Sequence, residues 1–208
     1  MRNIVISIFL VLTFLCSPAM SETAADWFNK AIALSDGKKF TDPHKAILYL
    51  SNAIKIQPND AEMYYNRGVA YENLGQYQPA IKDYNQAISL KPAYSEAFYN
   101  RGTLYSEIGQ YRQAIEDFNQ AISLQPNDAE AYHGRGFAYD KLGQYQQAIE
   151  DYNKAISLQP NYASAYNNRG IYFLSHGNKT LGCFDAQRAC ALGNCKLLEI
   201  AKNNGFCP

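Results

Sequence analysis

The cysteines are the residues whose chemistry is easiest to read from the sequence. Four of them cluster at the C-terminal end of the chain: Cys183, Cys190, Cys195 and Cys207. A cluster of this kind can form disulfides, hold zinc, attach haem or exchange thiols. No Cys-x-x-Cys pair occurs, and the nearest histidine is His176, which disfavours the metal, haem and thiol-exchange alternatives. The sequence therefore favours two disulfides, with a redox role as the alternative.

Helix geometry restricts how these cysteines can pair. If Cys183 and Cys190 share a helix, a rise of about 1.5 Å per residue separates them by roughly 10 Å. That exceeds the limit of about 7 Å between the Cα atoms of a disulfide. Cys195 and Cys207 flank a short predicted helix and would also lie too far apart. A turn at 192–194 instead predicts the nested bonds Cys190–Cys195 and Cys183–Cys207, which would fasten the last helix to the unit before it.

The segment 1–21 is expected to be an export signal. Met1–Arg2 is a positively charged start, and Ile4–Leu15 is an apolar run too short to span a bilayer comfortably. Small residues at 19 and 21 predict cleavage after Ser21. Cys16 offers the alternative of a lipid anchor, which the large residues just before it disfavour. We therefore expect export to the periplasm or the extracellular space, with no membrane insertion after cleavage.

The rest of the sequence offers little to suggest catalysis. The histidines are scattered, and acidic pairs such as Glu116-Asp117 recur with a repeat and so belong to a scaffold. We find no nucleophile–base arrangement, phosphate loop or metal spacing. Lys and Arg number 19 against 19 Asp and Glu, so net charge does not favour a nucleic acid or an anionic membrane as partner. The sequence predicts a protein that is not an enzyme and has no cofactor, metal, small-molecule substrate or nucleic-acid partner.

One pattern occurs three times in succession, in consecutive blocks of equal length. The blocks 61–94, 95–128 and 129–162 each contain Tyr/Phe-x-x-Arg-Gly-x-x-Tyr, Gly-Gln-Tyr, Ala-Ile-x-Asp-Tyr/Phe-Asn-x-Ala-Ile-Ser-Leu and a proline. A fainter copy with a three-residue insertion, 24–60, precedes them, and a degenerate copy, 163–196, follows. A fixed period of this length predicts a solenoid in which each block is a pair of helices that buries its apolar face against its neighbours.

The composition of the blocks agrees with paired helices. Small residues recur where two helices would approach closely, and aromatic residues recur where they would fill the space between them. Gly75 and its equivalents predict the end of each first helix, and the proline predicts the end of each second helix. Asp60, Ser95 and Asp128 stand where the next helix needs an N-terminal cap.

The blocks resemble the tetratricopeptide repeat. In the block 61–94 the matching residues, at positions 4, 8, 11, 20, 24, 27 and 32, are Tyr64, Gly68, Tyr71, Ala80, Tyr84, Ala87 and Pro92. The departure is at position 7, where Arg67 replaces the usual leucine. The resemblance implies an all-α, right-handed solenoid of about five helix-turn-helix units, with a C-terminal cap over 197–208. We expect a degenerate first unit over 24–60 and a degenerate fifth unit over 163–196.

The arginines at position 7 have predicted partners at position 23 of the second helix. Four such pairs recur: Arg67 with Asp83, Arg101 with Asp117, Arg135 with Asp151, and Arg169 with Asp185. We interpret them as ion pairs, within or between repeats, that fix the register of the helices. A binding role for the arginine row is the alternative.

The resemblance also implies where a partner would bind. In tetratricopeptide repeats the concave groove is lined by the first helix of each unit, chiefly at positions 2, 5, 9, 12 and 13. The groove residues implied for this chain are Glu62, Tyr65, Val69, Glu96, Tyr99, Thr103, Glu130, His133, Phe137, Asn167 and Ile171. This groove is aromatic in the middle and acidic at its edges, although the glutamates could merely favour the helix N-termini. It lacks the Lys and Asn with which some members clamp a terminal carboxylate.

The sequence thus predicts a non-catalytic module that binds an extended or helical segment of another protein. Assembly or scaffolding outside the cytoplasm is the expected setting. The alternative is a structural subunit of an envelope or secretion complex, docked by its convex face or its capped tail.

Overall fold

The computed structural model describes residues 22–37 and 39–208, so the expected export signal and Cys16 lie outside the described residues. Within this part the chain is all-helical, which confirms the fold class. The helices are α1 Ala24–Ile32, α2 Pro43–Ile56, α3 Ala61–Asn73, α4 Tyr77–Leu90, α5 Ser95–Glu107, α6 Tyr111–Leu124, α7 Ala129–Lys141, α8 Tyr145–Leu158, α9 Ala163–Ser175, α10 Lys179–Ala191 and α11 Lys196–Asn203.

The helices pack as consecutive pairs that stack into an α-solenoid. The pairs α1–α2, α3–α4, α5–α6, α7–α8 and α9–α10 each pack closely, and each second helix contacts the first helix of the next pair. The final helix α11 packs on α9 and α10. Among the described helices, none has both the length and the apolarity that crossing a membrane requires.

Helix boundaries follow from specific residues. Asp60 begins α3 by accepting hydrogen bonds from the backbone N–H groups of Glu62 and Met63, as an N-cap does. Gly75, just beyond the end of α3, has a φ of 68°, a left-handed conformation that a residue with a side chain rarely adopts. The second helix α4 ends two residues before Pro92, as expected.

The prediction that Ser95 is an N-cap was wrong. Tyr94 occupies the capping position of α5 and makes no side-chain capping bond, while Ser95 is the first residue of the helix. The Ser95 side chain is buried, and its hydroxyl donates a hydrogen bond to the carbonyl of Ala121 in α6 at 3.2 Å. The serine therefore ties the start of α5 to the second helix of its own repeat instead of capping its own helix.

The core of each of the three regular repeats is an aromatic residue of the second helix packed against a glycine of the first. Tyr84, Phe118 and Tyr152, all at position 24, are almost completely buried. A Cβ added to Gly68 would lie 2.7 Å from the Tyr84 ring, so a larger residue would force α3 away from α4.

The arginine row forms ion pairs within each repeat. Arg101, for example, donates two hydrogen bonds to the carboxylate of Asp117, at 2.8 and 2.5 Å. Its remaining nitrogen donates to Asn85 of the preceding repeat at 2.6 Å. The same pattern recurs at the other three arginines, with Ser51 taking the place of the asparagine at Arg67. Each arginine therefore fixes the register of its own helix pair and links it to the pair before.

The C-terminal helix is fastened to the last pair by disulfides. Cys183 in α10 is joined to Cys207, and Cys190 is joined to Cys195 across the turn between α10 and α11. These are the nested pairs expected from the sequence. Leu197 and Ala201 of α11 are buried, so this helix covers the apolar end of the stack.

Candidate functional site

The implied groove residues line a row of concavities on the first-helix side of the solenoid. Six of the implied groove residues surround one space between α5, α7 and α9, which we call the central pocket. Its volume is about 430 Å³. The implied residues that line it are Tyr99, Thr103, Glu130, His133, Phe137 and Asn167. The structure therefore brings together side chains from three successive repeats.

The other implied groove residues lie on either side of the central pocket. Toward the N-terminus, Glu62, Tyr65 and Glu96 line a concavity of about 550 Å³. Val69 and Tyr65 line a neighbouring one of about 420 Å³, which also reaches Glu130. Toward the C-terminus, Ile171 and Asn167 line a mostly apolar space of about 550 Å³, which we call the apolar pocket.

The apolar pocket is built largely by the capping helix. Ile200 of α11 and Phe206 beyond it face Ile171 and Leu174 of α9 across this space. Ile171 is 48% exposed and Ile200 is 47% exposed, which is high for large aliphatic side chains. Because Asn167 lines both spaces, the apolar pocket adjoins the central pocket, and the two form one continuous surface.

The residues at position 5 are half-buried and pack within the array as well as lining the groove. The Tyr65 ring lies 4.9 Å from the ring of Tyr94, measured between centroids. His133 holds the same relation to Tyr162, also at 4.9 Å. These contacts hold the rings rigidly, which suits them to serve as walls of a binding surface.

A chain of hydrogen bonds fixes the state of His133. The Asn167 side-chain amide donates to the Asn168 side-chain oxygen, and the Asn168 amide lies 3.0 Å from His133 Nε2. Since an amide nitrogen can only donate, His133 Nε2 must accept, and the ring proton sits on Nδ1, 3.2 Å from the Tyr162 hydroxyl. Burial lowers the pKa of His133 to about 4, so the ring is neutral at pH 7. A neutral histidine held from both sides acts as a wall of the pocket.

The central pocket carries a negative potential. Glu130 is exposed in the first turn of α7, next to the capping carboxylate of Asp128. Burial, together with the charges of Glu130 and Asp128, raises the pKa of Tyr162 to about 12. The same causes raise the pKa of Tyr99, with burial the largest. The exposed carboxylate of Glu130, and not the state of the tyrosines, is what favours a neutral or cationic occupant.

Ser106, Glu107 and Ser164 also line the central pocket, and they stand at groove positions 12, 13 and 2 of their repeats. Sequence reasoning missed the other residues of its lining, Phe118, Gly134, Tyr162, Asn168 and Asn194. A signal for Tyr162 was present, since the last position of successive repeats alternates between Asp and Tyr at 60, 94, 128 and 162. The repeat alone could not reveal the apolar pocket, because α11 lies outside the repeat.

No site for a metal is visible in the described residues. Nowhere in 22–37 or 39–208 do three His, Cys, Asp or Glu side chains converge as a metal ion requires. The position 7 arginines are held by aspartates, so their guanidinium groups are engaged in the scaffold.

Comparison with protein families identifies the repeats. Three tetratricopeptide-repeat models match: one at 61–94 and 129–162, a second at 44–75 and 102–143, and a third at 83–116. Together they cover 44–162 without a break, more than half of the chain. The chain therefore belongs to the tetratricopeptide-repeat family. No curated protein shows significant similarity to it along its sequence.

Solved structures share the same solenoid. A MamA structure from Desulfovibrio magneticus RS-1 is 27% identical, with a TM-score of 0.73, covering 86% of this chain and 97% of that one. YrrB, described as a TPR protein with an unusual peptide-binding site, is 22% identical, with a TM-score of 0.73 and coverage of 86% and 92%. PilW, described as a type IV pilus biogenesis factor, is 20% identical, with a TM-score of 0.75 and coverage of 88% and 86%. At these identities YrrB and PilW share the fold alone.

Proposed function

We propose that this protein is an exported, non-catalytic interaction module whose concave face binds an extended or helical segment of another protein. The observation that carries the proposal is the continuous surface formed by the central and apolar pockets, which share Asn167. It combines rigid aromatic walls, exposed carboxylates and exposed aliphatic side chains, the composition of a peptide-binding surface. Membership of the tetratricopeptide-repeat family supports binding of protein or peptide partners.

Export is part of the proposal. Four cysteines joined in two disulfides are typical of proteins that fold in an oxidising compartment. The apolar run Ile4–Leu15 after a positive start has the composition of a secretory signal. A role in assembly or scaffolding of proteins outside the cytoplasm fits both features.

A second function is favoured by a different surface. Leu181 and Phe184 of α10 are 45% and 54% exposed, close to the disulfide of Cys183. Large apolar side chains exposed side by side often mark a contact with another protein. They favour a structural subunit that docks into an envelope or secretion complex by its capped tail.

The two functions predict different sensitive residues. We would capture partners from the exported fraction of the source cell with the wild type, Phe137→Ala/Glu130→Gln and Leu181→Ser/Phe184→Ser. The groove function predicts that one partner is lost with the Phe137→Ala/Glu130→Gln variant and kept by the Leu181→Ser/Phe184→Ser variant. The opposite result would favour docking by the tail. Far-UV circular dichroism and thermal unfolding of each variant establish that the fold is intact.

A further inference from the structure

The central pocket lies where one repeat departs from the others at position 6 of its first helix. Position 6 is asparagine in the flanking repeats, as in Asn100 and Asn168, but glycine at Gly134. Asn100 and Asn168 each contact the tyrosine at position 24 of the repeat before, Tyr84 and Tyr152. The side-chain amide of Asn100 lies 3.4 Å from the hydroxyl of Tyr84. The residue equivalent to Tyr84 in the repeat before Gly134 is Phe118, which has no hydroxyl.

The glycine lets the phenylalanine ring lean toward the groove. A Cβ at Gly134 would lie 2.6 Å from the tip of the Phe118 ring. The other side of the Phe118 ring faces Gly102 of its own repeat, and a Cβ added there would lie 3.2 Å from the ring. In the preceding repeat the equivalent distance, from a Cβ added to Gly68 to the Tyr84 ring, is shorter, at 2.7 Å. At this junction the tip of the Phe118 ring takes part of the space that an asparagine takes at both flanking junctions, and the polar amide of the asparagine is absent.

The charged residues that line this space are both acidic, while Lys141 lies outside the lining with its Nζ 5.0 Å from the centre of the Phe137 ring. Glu107 and Glu130, both exposed, contribute carboxylates, while the lining residues include neither lysine nor arginine. The remaining walls are largely aromatic, with Tyr99, Phe137 and Tyr162 around the ring of Phe118. Aromatic faces with carboxylates at the rim suit a cation carried on an apolar stem.

The tyrosine equivalent to Tyr162 in an earlier repeat, Tyr94, already contacts a cation of the chain through its ring. Lys91 Nζ lies 4.2 Å from the ring centre of Tyr94, the residue that corresponds to Tyr162 two repeats earlier. The residue that corresponds to Lys91 in the later repeat is Gln159. No lysine or arginine of the described residues lies over the ring of Tyr162, whereas Lys91 lies over the ring of Tyr94.

A hydroxyl in the pocket also lacks a partner. Ser106 Oγ is buried and makes no hydrogen bond to any residue that the structure describes, yet Ser106 lines the central pocket. A buried hydroxyl without a partner makes the free protein less stable than one whose hydrogen bonds are complete.

We propose that the central pocket binds an arginine or lysine side chain of the partner segment, with its cationic head between Glu107 and Glu130 and its stem against Phe118 and Tyr162. The proposal rests on the proposed function and deepens it, because it assigns the chemistry of one residue of the ligand. The guanidinium of arginine is favoured, since its plane stacks on aromatic rings.

The test begins with short random peptides displayed on phage and selected on the disulfide-bonded protein. The proposal predicts selected peptides with a basic residue at one fixed register. In the tightest of them, replacing an arginine by citrulline, which keeps the shape but loses the charge, should weaken binding about tenfold or more. Lysine at that position should retain part of the affinity.

Two variants address the pocket itself. Phe118→Tyr/Gly134→Asn installs the residue pair that the chain uses at both flanking junctions. It should fill the space once the ring at 118 moves from Gly134 toward Gly102, where the Cβ position is 3.2 Å away, and circular dichroism checks that the fold persists. Glu107→Gln/Glu130→Gln removes the carboxylates without changing shape, and Glu116→Gln/Glu150→Gln on exposed faces of α6 and α8 is the control with the same change in charge. We expect both pocket variants, and not the control, to abolish the preference for the basic residue.

The outcomes separate the two proposals. Selected peptides without a basic residue in common, or a preference that survives both pocket variants, would overturn the basic-residue assignment and leave groove binding standing. Selection that enriches no peptide at all would contradict groove binding of segments, and the assignment with it.

Discussion

At the scale of single residues, His133 shows how burial and hydrogen bonding set a protonation state. The ring accepts from Asn168 through one nitrogen and faces the Tyr162 hydroxyl with the other, so a second ring proton would displace the asparagine. Its buried position adds the cost of burying a charge, and together these keep the ring neutral. The residue that the sequence suggested as a contact in the groove is thus also a part of its frame.

The first prediction concerns the titration of His133. Its pKa in the folded protein is about 4, below the usual value of 6.5 in an unfolded chain, so folding favours the neutral form. The resulting stability is fully present above about pH 6.5 and is lost as the pH falls toward 4, on the order of 3 kcal/mol. NMR of the histidine rings between pH 7 and pH 4 measures this directly. A His133 ring that became charged near pH 6.5 would contradict the account.

The ion pairs give a second prediction at the same scale. Arg101 and Asp117 are both largely shielded from solvent, with the Asp117 side chain 5% exposed. Arg101→Met leaves a buried carboxylate without its partner and should reduce the free energy of unfolding by about 3 kcal/mol. Arg101→Met/Asp117→Leu removes both charges and should cost much less. Urea unfolding of the two variants measures the difference, and equal losses would contradict the claim that the unpaired buried carboxylate is the main cost.

Residue spacing predicted these pairs but not every capping contact. The constant interval between each arginine and its aspartate was visible in the sequence, since both recur with the repeat. Ser95 has a residue type typical of an N-cap, but it stands one position after the equivalent of Asp60 and Asp128, which is Tyr94. Its hydroxyl instead reaches Ala121, a partner 26 residues away that no local rule identifies. The pattern predicts a contact where both partners recur in successive repeats, as the arginines and aspartates do, whereas the equivalents of Ser95 at 61, 129 and 163 are alanine.

At the scale of the helices, the cap formed by α11 determines the C-terminal part of the candidate site. The bond Cys183–Cys207 spans 24 residues and holds the chain end against α10. Leu197 and Ile200 of α11 supply one wall of the apolar pocket. Correct docking of this helix is therefore required both for the end of the core and for part of the concave surface.

A third prediction follows for this disulfide. Cys183→Ser/Cys207→Ser should lower the stability of α11 by roughly 2–4 kcal/mol, because a long loop is no longer closed in the unfolded chain. In a solenoid each unit contacts only its neighbours, so the loss should remain local. Hydrogen exchange should quicken in α11 and the end of α10 while α3 to α6 keep their protection. Uniform loss of protection along the chain would contradict this account.

The matched control is the other disulfide. Cys190→Ser/Cys195→Ser opens a loop of only 5 residues in sequence separation and leaves the chain end fastened. It should reduce the protection of α11 less than the first pair does. The pairing itself followed from helix geometry in the sequence, whereas the apolar pocket that it supports required the packing of α11 on α9.

At the scale of the whole molecule, repetition provides the frame and departures from repetition provide the candidate site. The fixed period of the blocks was enough to predict an α-solenoid, because each block supplies the same buried face. The central pocket arises where Phe118 and Gly134 break that period. The sequence contains both residues, but their relation becomes visible once position 24 of one repeat is known to face position 6 of the next.

A fourth prediction belongs to the electrostatics of the groove. A partner held in part by Glu107 and Glu130 should bind more weakly as salt screens these exposed carboxylates. Raising the ionic strength from about 0.05 to 0.5 M should increase its dissociation constant several-fold, and the Glu107→Gln/Glu130→Gln variant should show less of this dependence. Isothermal calorimetry with the selected peptide measures both. A dissociation constant that ignored salt would argue against a charged contact.

The most direct test of groove binding is photo-crosslinking from defined positions of the protein. A photoreactive amino acid would replace Thr103 or Ile171 on the concave side, Gln147 on the exposed face of α8, or Phe184 on the tail. Crosslinks would be formed in the exported fraction and mapped by mass spectrometry. We expect Thr103 and Ile171 to capture the same segment of one partner, and Gln147 not to capture it. A partner captured from Phe184 or Gln147, with none from the two concave positions, would contradict it.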